Sequence, residues 1–377
     1  MKAVWMIIRW VVGLLFIFSG LVKANDPLGL SYKMQEFFEV WNLHQFNEYT
    51  LALSIAMIGF EIIAGVAVIV GWQMRLFSWL LLLLIVFFTF LTGYAVISGK
   101  IKECGCFGNC IPLTAMQSFI KDLVLTGLIL LLFSQRNKFK PLFSTMNNVL
   151  VLFFSAVFSF SFMWYTLLHL PVVDCLPYKE GINILGGMKI PPGAKPDSTV
   201  ITFVYKNKGK EIEFTADKFP EDFNDTTYEF VRRYDKLIRQ GDAVPAIKDF
   251  SLTNQQGQPA TETILNAEGY KVFFFLRENY NQGDWIPKAE KLIYESSHQG
   301  GIPGVLITSV PLQELYEKPP GLFYQVAPFT CDATAIKTAA RANPTIFLMN
   351  KDTIVKKWSY ADIDDAIRTI RKIYKQY

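Results

Sequence analysis

Up to Leu170 the apolar residues of this chain run in long blocks rather than alternating with polar ones. Five such blocks, Ala3 to Val22, Thr50 to Trp72, Leu76 to Ser98, Leu113 to Phe133 and Val149 to Leu170, are each long enough to cross a bilayer as a helix. Polar connections separate them: a loop from Asn25 to Tyr49, a tight Gln73-Met74-Arg75 turn, a cysteine-bearing loop from Gly99 to Pro112, and a basic segment from Gln135 to Lys140. Past Leu170 the pattern shortens. Thr199 to Tyr205 and Glu211 to Phe214 flank Asn207-Lys208-Gly209, which predicts a hairpin. From Ala243 the strand-like runs Val272 to Leu276, Val305 to Thr308, Thr345 to Met349 and Ile354 to Trp358 alternate with the helical stretches Pro287 to Ser296, Ala333 to Ala342 and Ile363 to Tyr374. Alternation of this kind predicts a layered α/β domain. The expected organisation is a membrane bundle over residues 1–140, a fifth membrane helix over 141–170, a connecting β-rich segment over 171–242 and an α/β domain over 243–377.

Composition supports the division. The 377 residues exceed what one core of ordinary size requires, and the averages of 51% hydrophobic and 19% charged residues conceal an apolar first half and a charge-rich second half. The lipid bilayer is thus the first partner. The net charge of +4, from 37 basic and 33 acidic residues, includes no long basic run and no basic residues interleaved with aromatics, so nucleic acid is excluded as a partner. Lys2 and Arg9 before an apolar stretch, with Ala24 as a tolerable cleavage position, resemble a secretory signal, but further spans follow directly and an uncleaved first helix is expected. Lys2, Arg75, Arg136, Lys138 and Lys140 oppose Lys23, Lys33, Lys100 and Lys102, a slight bias that places the cysteine loop and everything after Leu170 on the periplasmic side of a cytoplasmic membrane.

The candidate chemistry begins with Cys104, Cys106 and Cys110, three of the five cysteines, with Cys175 and Cys331 isolated. A single glycine between Cys104 and Cys106 allows the unusual dihedrals of a strained ring, whose disulfide would be a ready oxidant. Cys110 is expected as a resolving thiol, accepting the bond by exchange. A static disulfide pinning the loop is the competing reading; Cys175 and Cys331 are expected as partly buried thiols, with a reactive role the alternative for Cys331, which precedes Asp332. Metal is disfavoured because no histidine lies near and three thiolates make an incomplete tetrahedral set. His44, His169 and His298 show no ligand spacing. Inside the spans, Glu61 is expected to pair with Arg9, and Asp122 to approach Lys23. These four form either a polar pocket for a quinone headgroup, a proton or a small substrate, or buried ion pairs that fix helix packing. No cofactor motif is evident; a quinone is the candidate if any cofactor serves.

The membrane half resembles the DoxX-like group, and within it the MauE-type methylamine-utilisation membrane proteins. The likeness rests on Arg9-x3-Gly13-x2-Phe16-x2-Ser19-Gly20-x2-Lys23, on Glu61 with Gly65, and on Cys104-Gly-Cys106-Phe-Gly108. That resemblance implies support of disulfide formation in a periplasmic client protein. From about Ala243 the chain resembles the thioredoxin fold of membrane-tethered periplasmic proteins, through Val244-Pro-x3-Asp249-Phe250-Ser251-Leu252-Thr253-x3-Gly257 and Asp332-x10-Asn343-Pro344-Thr345-x5-Lys351-Asp352. It implies a cis bond before Pro344, facing the position of an active-site dithiol. Here the chain departs from the pattern: Arg277 to Trp285, where a Cys-x-x-Cys would start the helix, contains no cysteine. The domain is therefore expected to be degenerate and to bind rather than catalyse. After the last span comes Asp174-x2-Pro177-Tyr178-Lys179-x-Gly181-x-Asn183-Ile184, and with it the whole architecture also resembles DoxX-plus-thioredoxin-like membrane proteins of the Bacteroidetes type, from which no activity transfers. Two functions compete: assistance of periplasmic thiol–disulfide chemistry through the Cys104/Cys106/Cys110 loop, and a non-enzymatic scaffold that docks envelope proteins.

Overall fold

The computed structural model describes every residue except 1, 102–104, 106, 197, 208, 217, 221–222, 225–226, 240, 242, 278–284, 318–325 and 375–377. Five helices have the length and apolarity of membrane spans: α1 (Lys2–Asn25), α3 (Thr50–Val70), α4 (Met74–Ser98), α5 (Ala115–Ser134) and α6 (Thr145–His169). Between the first two, the connection expected as a loop is a further helix, α2 (Pro27–Val40). Its start follows local rules: the Asp26 carboxylate accepts from the Gly29 amide, and Pro27 occupies the first turn. Leu30, Met34 and Phe37 then recur on one face, a helical period in a segment otherwise polar enough to pass for a loop.

The bundle closes around Val12 and Phe16 of α1, Ala64 and Val68 of α3, Leu81 and Ile85 of α4, and Leu125 and Ile129 of α5. Lipid is as apolar as these side chains, so close backbone approach replaces the hydrophobic drive between helices. A Cβ at Gly13 would come within 2.9 Å of the Gly65 carbonyl oxygen, and one at Gly65 within 2.8 Å of the Gly13 oxygen. The α1–α3 crossing therefore requires both glycines.

A turn of helix, α7 (Ile184–Gly187), leads into a three-stranded antiparallel sheet of β1 (Ser198–Asn207), β2 (Lys210–Thr215) and β3 (Tyr228–Arg239), in the order β2-β1-β3. The β1–β2 hairpin lies where the sequence predicts it. The remaining domain runs α8 (Thr261–Asn266), β4 (Tyr270–Leu276), α9 (Trp285–Ile293), β5 (Gly304–Thr308), α10 (Leu312–Glu317), β6 (Ala327–Thr330), α11 (Ala333–Ala339), β7 (Thr345–Asn350), β8 (Thr353–Ser359) and α12 (Ile363–Tyr374). Its sheet has the order β6-β5-β4-β7-β8, with β4, β5 and β6 mutually parallel and β7 and β8 antiparallel. A parallel β–α–β unit followed by a β-hairpin and a final helix, with a cis Asn343–Pro344 bond entering β7, is the thioredoxin-like arrangement. Both faces of the sheet are covered, which explains the unbroken apolar run of β4: Val272, Phe274 and Leu276 face one core, Phe273 and Phe275 the other. The edge strand β6, which the sequence pattern does not predict, carries Pro328, tolerated because it lies at the sheet edge.

The soluble half rests on the membrane half through buried polar contacts. Arg341 Nε lies 2.9 Å from the Asp26 carboxylate, and the Asn25 amide side chain bonds the backbone of Val173 on both its N–H and C=O sides. His169, at the end of α6, meets Asp362 at 2.9 Å.

Candidate functional site

The intramembrane charges come together in an arrangement that differs from the expected pairing. Glu61, midway along α3, faces α1 and is met by Lys23 rather than Arg9, with Nζ–oxygen distances of 2.6 and 2.8 Å. Ser19, one turn before Lys23, donates to the same carboxylate at 3.2 Å. The side chains of Lys23 and Glu61 are 4% and 1% exposed, so each charge relies chiefly on the other to replace water. Arg9 lies nearly four turns from Lys23, toward the other end of α1, where its guanidinium donates to the Ile69 carbonyl oxygen. Asp122 of α5 likewise pairs not with Lys23 but with its neighbour Lys121, at 2.6 Å, and accepts from Thr92 of α4 at 3.2 Å.

These two carboxylate sites line one cavity of about 420 Å³ enclosed by α1 to α5. Its walls are otherwise apolar and aromatic, with Phe37, Phe38 and Trp41 from α2, Phe88 from α4 and Phe107 from the cysteine loop. Lys33 of α2 also lines it, held by Glu36 at 2.6 Å. Gly105, the residue between Cys104 and Cys106, forms part of the same wall with φ at +67°, a conformation glycine supplies without strain. A Cβ there would fall 2.9 Å from the Lys33 side chain. Cys104 and Cys106 themselves lie outside the described residues.

Cys110 is bonded to Cys175, across 65 positions of sequence. That corrects two expectations: Cys110 is not a free resolving thiol for its neighbours, and Cys175 is not isolated. The bond joins the α4–α5 loop to the segment leaving α6. A signal for it was present, because two spans separate the cysteines and both segments must emerge on the same side of the membrane.

In the thioredoxin-like domain the cis bond before Pro344 is as the resemblance implies. The position of the missing dithiol, Glu278 to Asp284, lies outside the described residues. Its border is visible: the Arg277 amide donates to Asn343 Oδ1 at 2.9 Å, and the Arg277 guanidinium donates to the Tyr32 hydroxyl on α2. Lys337 and Arg341 lie over the Tyr32 ring at 5.6 and 5.3 Å. The end of the domain that carries Pro344 therefore packs on α2, the helix that walls the cavity. Neither Tyr32 nor Arg277 stands out in the sequence, since their meeting is purely tertiary. Cys331 is buried among Tyr178, Phe250 and Ala335, and burial pushes its thiol up to about 11, the behaviour of an inert core cysteine. Burial likewise raises the Tyr178 hydroxyl and, outside the spans, lowers Lys357, which Asp174 partners at 2.8 Å. Among the described residues no group of three or more His, Cys, Asp or Glu side chains is placed to hold a metal.

Fold and site together define a multi-span membrane protein in which a thioredoxin-like domain follows a helical bundle with a charged, aromatic-walled cavity. Residues 1–135, which hold α1 to α5, match the family described as methylamine utilisation protein MauE. Residues 199–240, the three-stranded sheet, match a domain of unknown function (DUF8463). Protein TlpB of Flavobacterium psychrophilum is 32% identical over 132 residues, which are 33% of this chain and 35% of that relative; the match thus spans about a third of each. Among solved structures, that of Arabidopsis thaliana ScoI with copper bound is similar with a TM-score of 0.28 and 19% identity, over 34% of this chain and 97% of that one.

Proposed function

We propose that the chain is a membrane-bound component of periplasmic thiol–disulfide chemistry, in which Cys104 and Cys106 exchange a disulfide with a client protein maturing in the envelope. The observation that carries the reading is the position of Gly105: the residue joining the two cysteines is part of the wall of the bundle's cavity, beside Lys33. In the exchange, a client thiolate attacks one sulfur of a Cys104–Cys106 disulfide. The second client thiol then displaces the enzyme sulfur from the mixed disulfide, leaving the client oxidised and the loop as a dithiol. Cys110 and Cys175 act as a tie that holds this loop against the base of the soluble domain. The MauE-type match and the oxidised Cys110–Cys175 pair support a compartment where such bonds persist, with the soluble domain in the periplasm.

A second reading, the scaffold, is favoured by the contact of Arg277 with Tyr32: the end of the thioredoxin-like domain that carries Pro344 is occupied by α2 of the same chain, leaving its other surfaces for docking. Trapping separates the two. Cys104→Ser and Cys106→Ser proteins, expressed in cells and resolved without reductant, are expected to differ, one accumulating a mixed disulfide with a client. If neither does, the scaffold reading replaces the exchange reading.

A further inference from the structure

We infer that a second, polar cavity, between the end of α6 and the soluble domain, holds the headgroup of a zwitterionic phospholipid, phosphatidylethanolamine, drawn from the surrounding leaflet. This cavity has a volume of about 550 Å³, within the range of small-molecule sites, and shares no lining residue with the one inside the bundle. Tyr165 and His169 of α6 form one wall, the segment leaving α6 a second, and Arg341, Lys357 and Asp362 of the thioredoxin-like domain a third.

The depth of the cavity follows from α6. Its 25 residues rise about 37 Å at 1.5 Å per residue, against about 30 Å of hydrocarbon, so its ends stand at the level of the headgroups. Trp164 and Tyr165 are both exposed there, as an interfacial aromatic belt requires. Tyr165 and Val172 line the cavity and are themselves exposed, so it opens where headgroups lie, beside apolar side chains that suit the upper acyl chains. The walls are fixed before any ligand arrives. The Cys110–Cys175 bond pins the residue between Asp174 and Leu176, both of which line the cavity, while Asn25 holds the backbone of Val173. Arg341 is held by Asp26 and Lys357 by Asp174. Preorganised walls spare a ligand the ordering cost of binding.

The charges select the ligand. The lining carries the cations Lys179, Arg341 and Lys357 and, in equal number, the carboxylates Asp174, Glu180 and Asp362, the last paired with His169. Phosphatidylglycerol brings no cation for these carboxylates, whereas phosphatidylethanolamine brings one charge of each sign. Lys179 and Glu180 adjoin at the exposed rim, and among the described residues neither is in an ion pair. The Glu180 carboxylate is aimed by the Lys357 backbone amide, which donates to it at 3.1 Å. Lys179 is thus the partner for the phosphate and Glu180 for the ammonium, whose N–H groups donate hydrogen bonds that a trimethylated choline cannot. Deeper in, burial lowers the Lys357 ammonium, Asp174 raises it, and the Arg341 charge lowers it again. A phosphate oxygen beside these two buried cations adds counter-charge where they repel.

The test uses the full chain in nanodiscs of phosphatidylethanolamine, phosphatidylglycerol and phosphatidylcholine in equal parts and of one acyl composition. After transfer to detergent, native mass spectrometry identifies the lipid retained. Expected is a single phosphatidylethanolamine per chain, favoured about tenfold over either other lipid, and a higher thermal midpoint when that lipid is added back. Lys179→Met/Glu180→Gln at the exposed rim and Val172→Trp at the mouth should each cut retention about tenfold and abolish the rise in midpoint, circular dichroism showing that the fold is kept. Glycerophosphoethanolamine, the same headgroup without acyl chains, separates a lipid from a soluble zwitterion: it should bind about a hundredfold more weakly than the lipid. Retention that does not favour phosphatidylethanolamine, retention that a folded rim or mouth variant leaves unchanged, or a soluble headgroup that binds as tightly as the lipid would each overturn the inference.

Discussion

Lys23 and Glu61 make the sharpest energetic claim in the bundle. Both side chains are almost wholly buried, they share two contacts at 2.6 and 2.8 Å, and Ser19 provides one further donor. Replacing Glu61 by Leu leaves the Lys23 ammonium over the Phe88 ring with no counter-charge, and replacing Lys23 by Met leaves the carboxylate with the Ser19 donor. Breaking a buried pair costs about 3–5 kcal/mol, because the surviving charge stays desolvated. Translocation scales give about 2.5–3.5 kcal/mol for a lone charge at mid-span. Lys23 sits in the last turn of α1, where a long side chain reaches toward the interface, so its orphaned form should fall near the lower figure, about 3 kcal/mol. The double variant Lys23→Met/Glu61→Leu removes both charges and should lie within about 1 kcal/mol of the natural protein, a coupling energy of several kcal/mol. Denaturant unfolding of the four proteins in micelles, followed by circular dichroism, measures it. Single variants that each cost under about 1 kcal/mol and simply add would refute the ion pair as a tie between α1 and α3.

The Cys110–Cys175 bond predicts that a protein cut by a protease site inserted between residues 136 and 140 stays one species without reductant and separates with it; separation in both conditions would refute the pairing. Gly105→Val must take up a left-handed backbone at a cost of about 1–3 kcal/mol and displace the Lys33 chain from 2.9 Å, so mass-spectrometric mapping should show Cys104–Cys106 pairing falling while Cys110–Cys175 persists. An unchanged pairing pattern would contradict the packing. A fragment of residues 171–377 should unfold cooperatively without the bundle, and in it the Lys356, Trp358 and Arg368 donors around Asp365 set a pH dependence. They hold its carboxyl down at about 2, below the roughly 3.9 of an unfolded aspartate. The stabilisation is therefore present above pH 4 and lost as pH falls through 2. The group is 40% exposed, so solvent screening limits its worth to about 1 kcal/mol or less. Asp365→Asn should lower stability at pH 7 and make no difference near pH 2; an equal loss at both would refute the assignment.

Much of this architecture was legible because it depends on local pattern. A bilayer demands long apolar helices, so the five spans follow from run length alone, and α12 is read from Ile363 to Tyr374 because its apolar period is clean. The thioredoxin-like half declares itself through β4, whose unbroken Val272 to Leu276 run needs cover on both faces, and through Pro344, whose cis bond the family resemblance implies. Tertiary structure decided the partners. Glu61 could be seen as an ion in a membrane, but whether Arg9 or Lys23 meets it depends on the rotation and depth of α1 against α3, fixed by the Gly13–Gly65 contact and not by spacing within either helix. Cys110 meets Cys175 because two intervening spans return the chain to the same surface. The cavity is the clearest case. It is assembled from α2, a helix hidden in a polar connection, and from the loop around Gly105, and α2 itself is held by Arg277 and Arg341 from hundreds of residues away. A run of sequence records which residues tolerate lipid, water or a turn, whereas a cavity is the space left between elements after they pack, and no single run contains it.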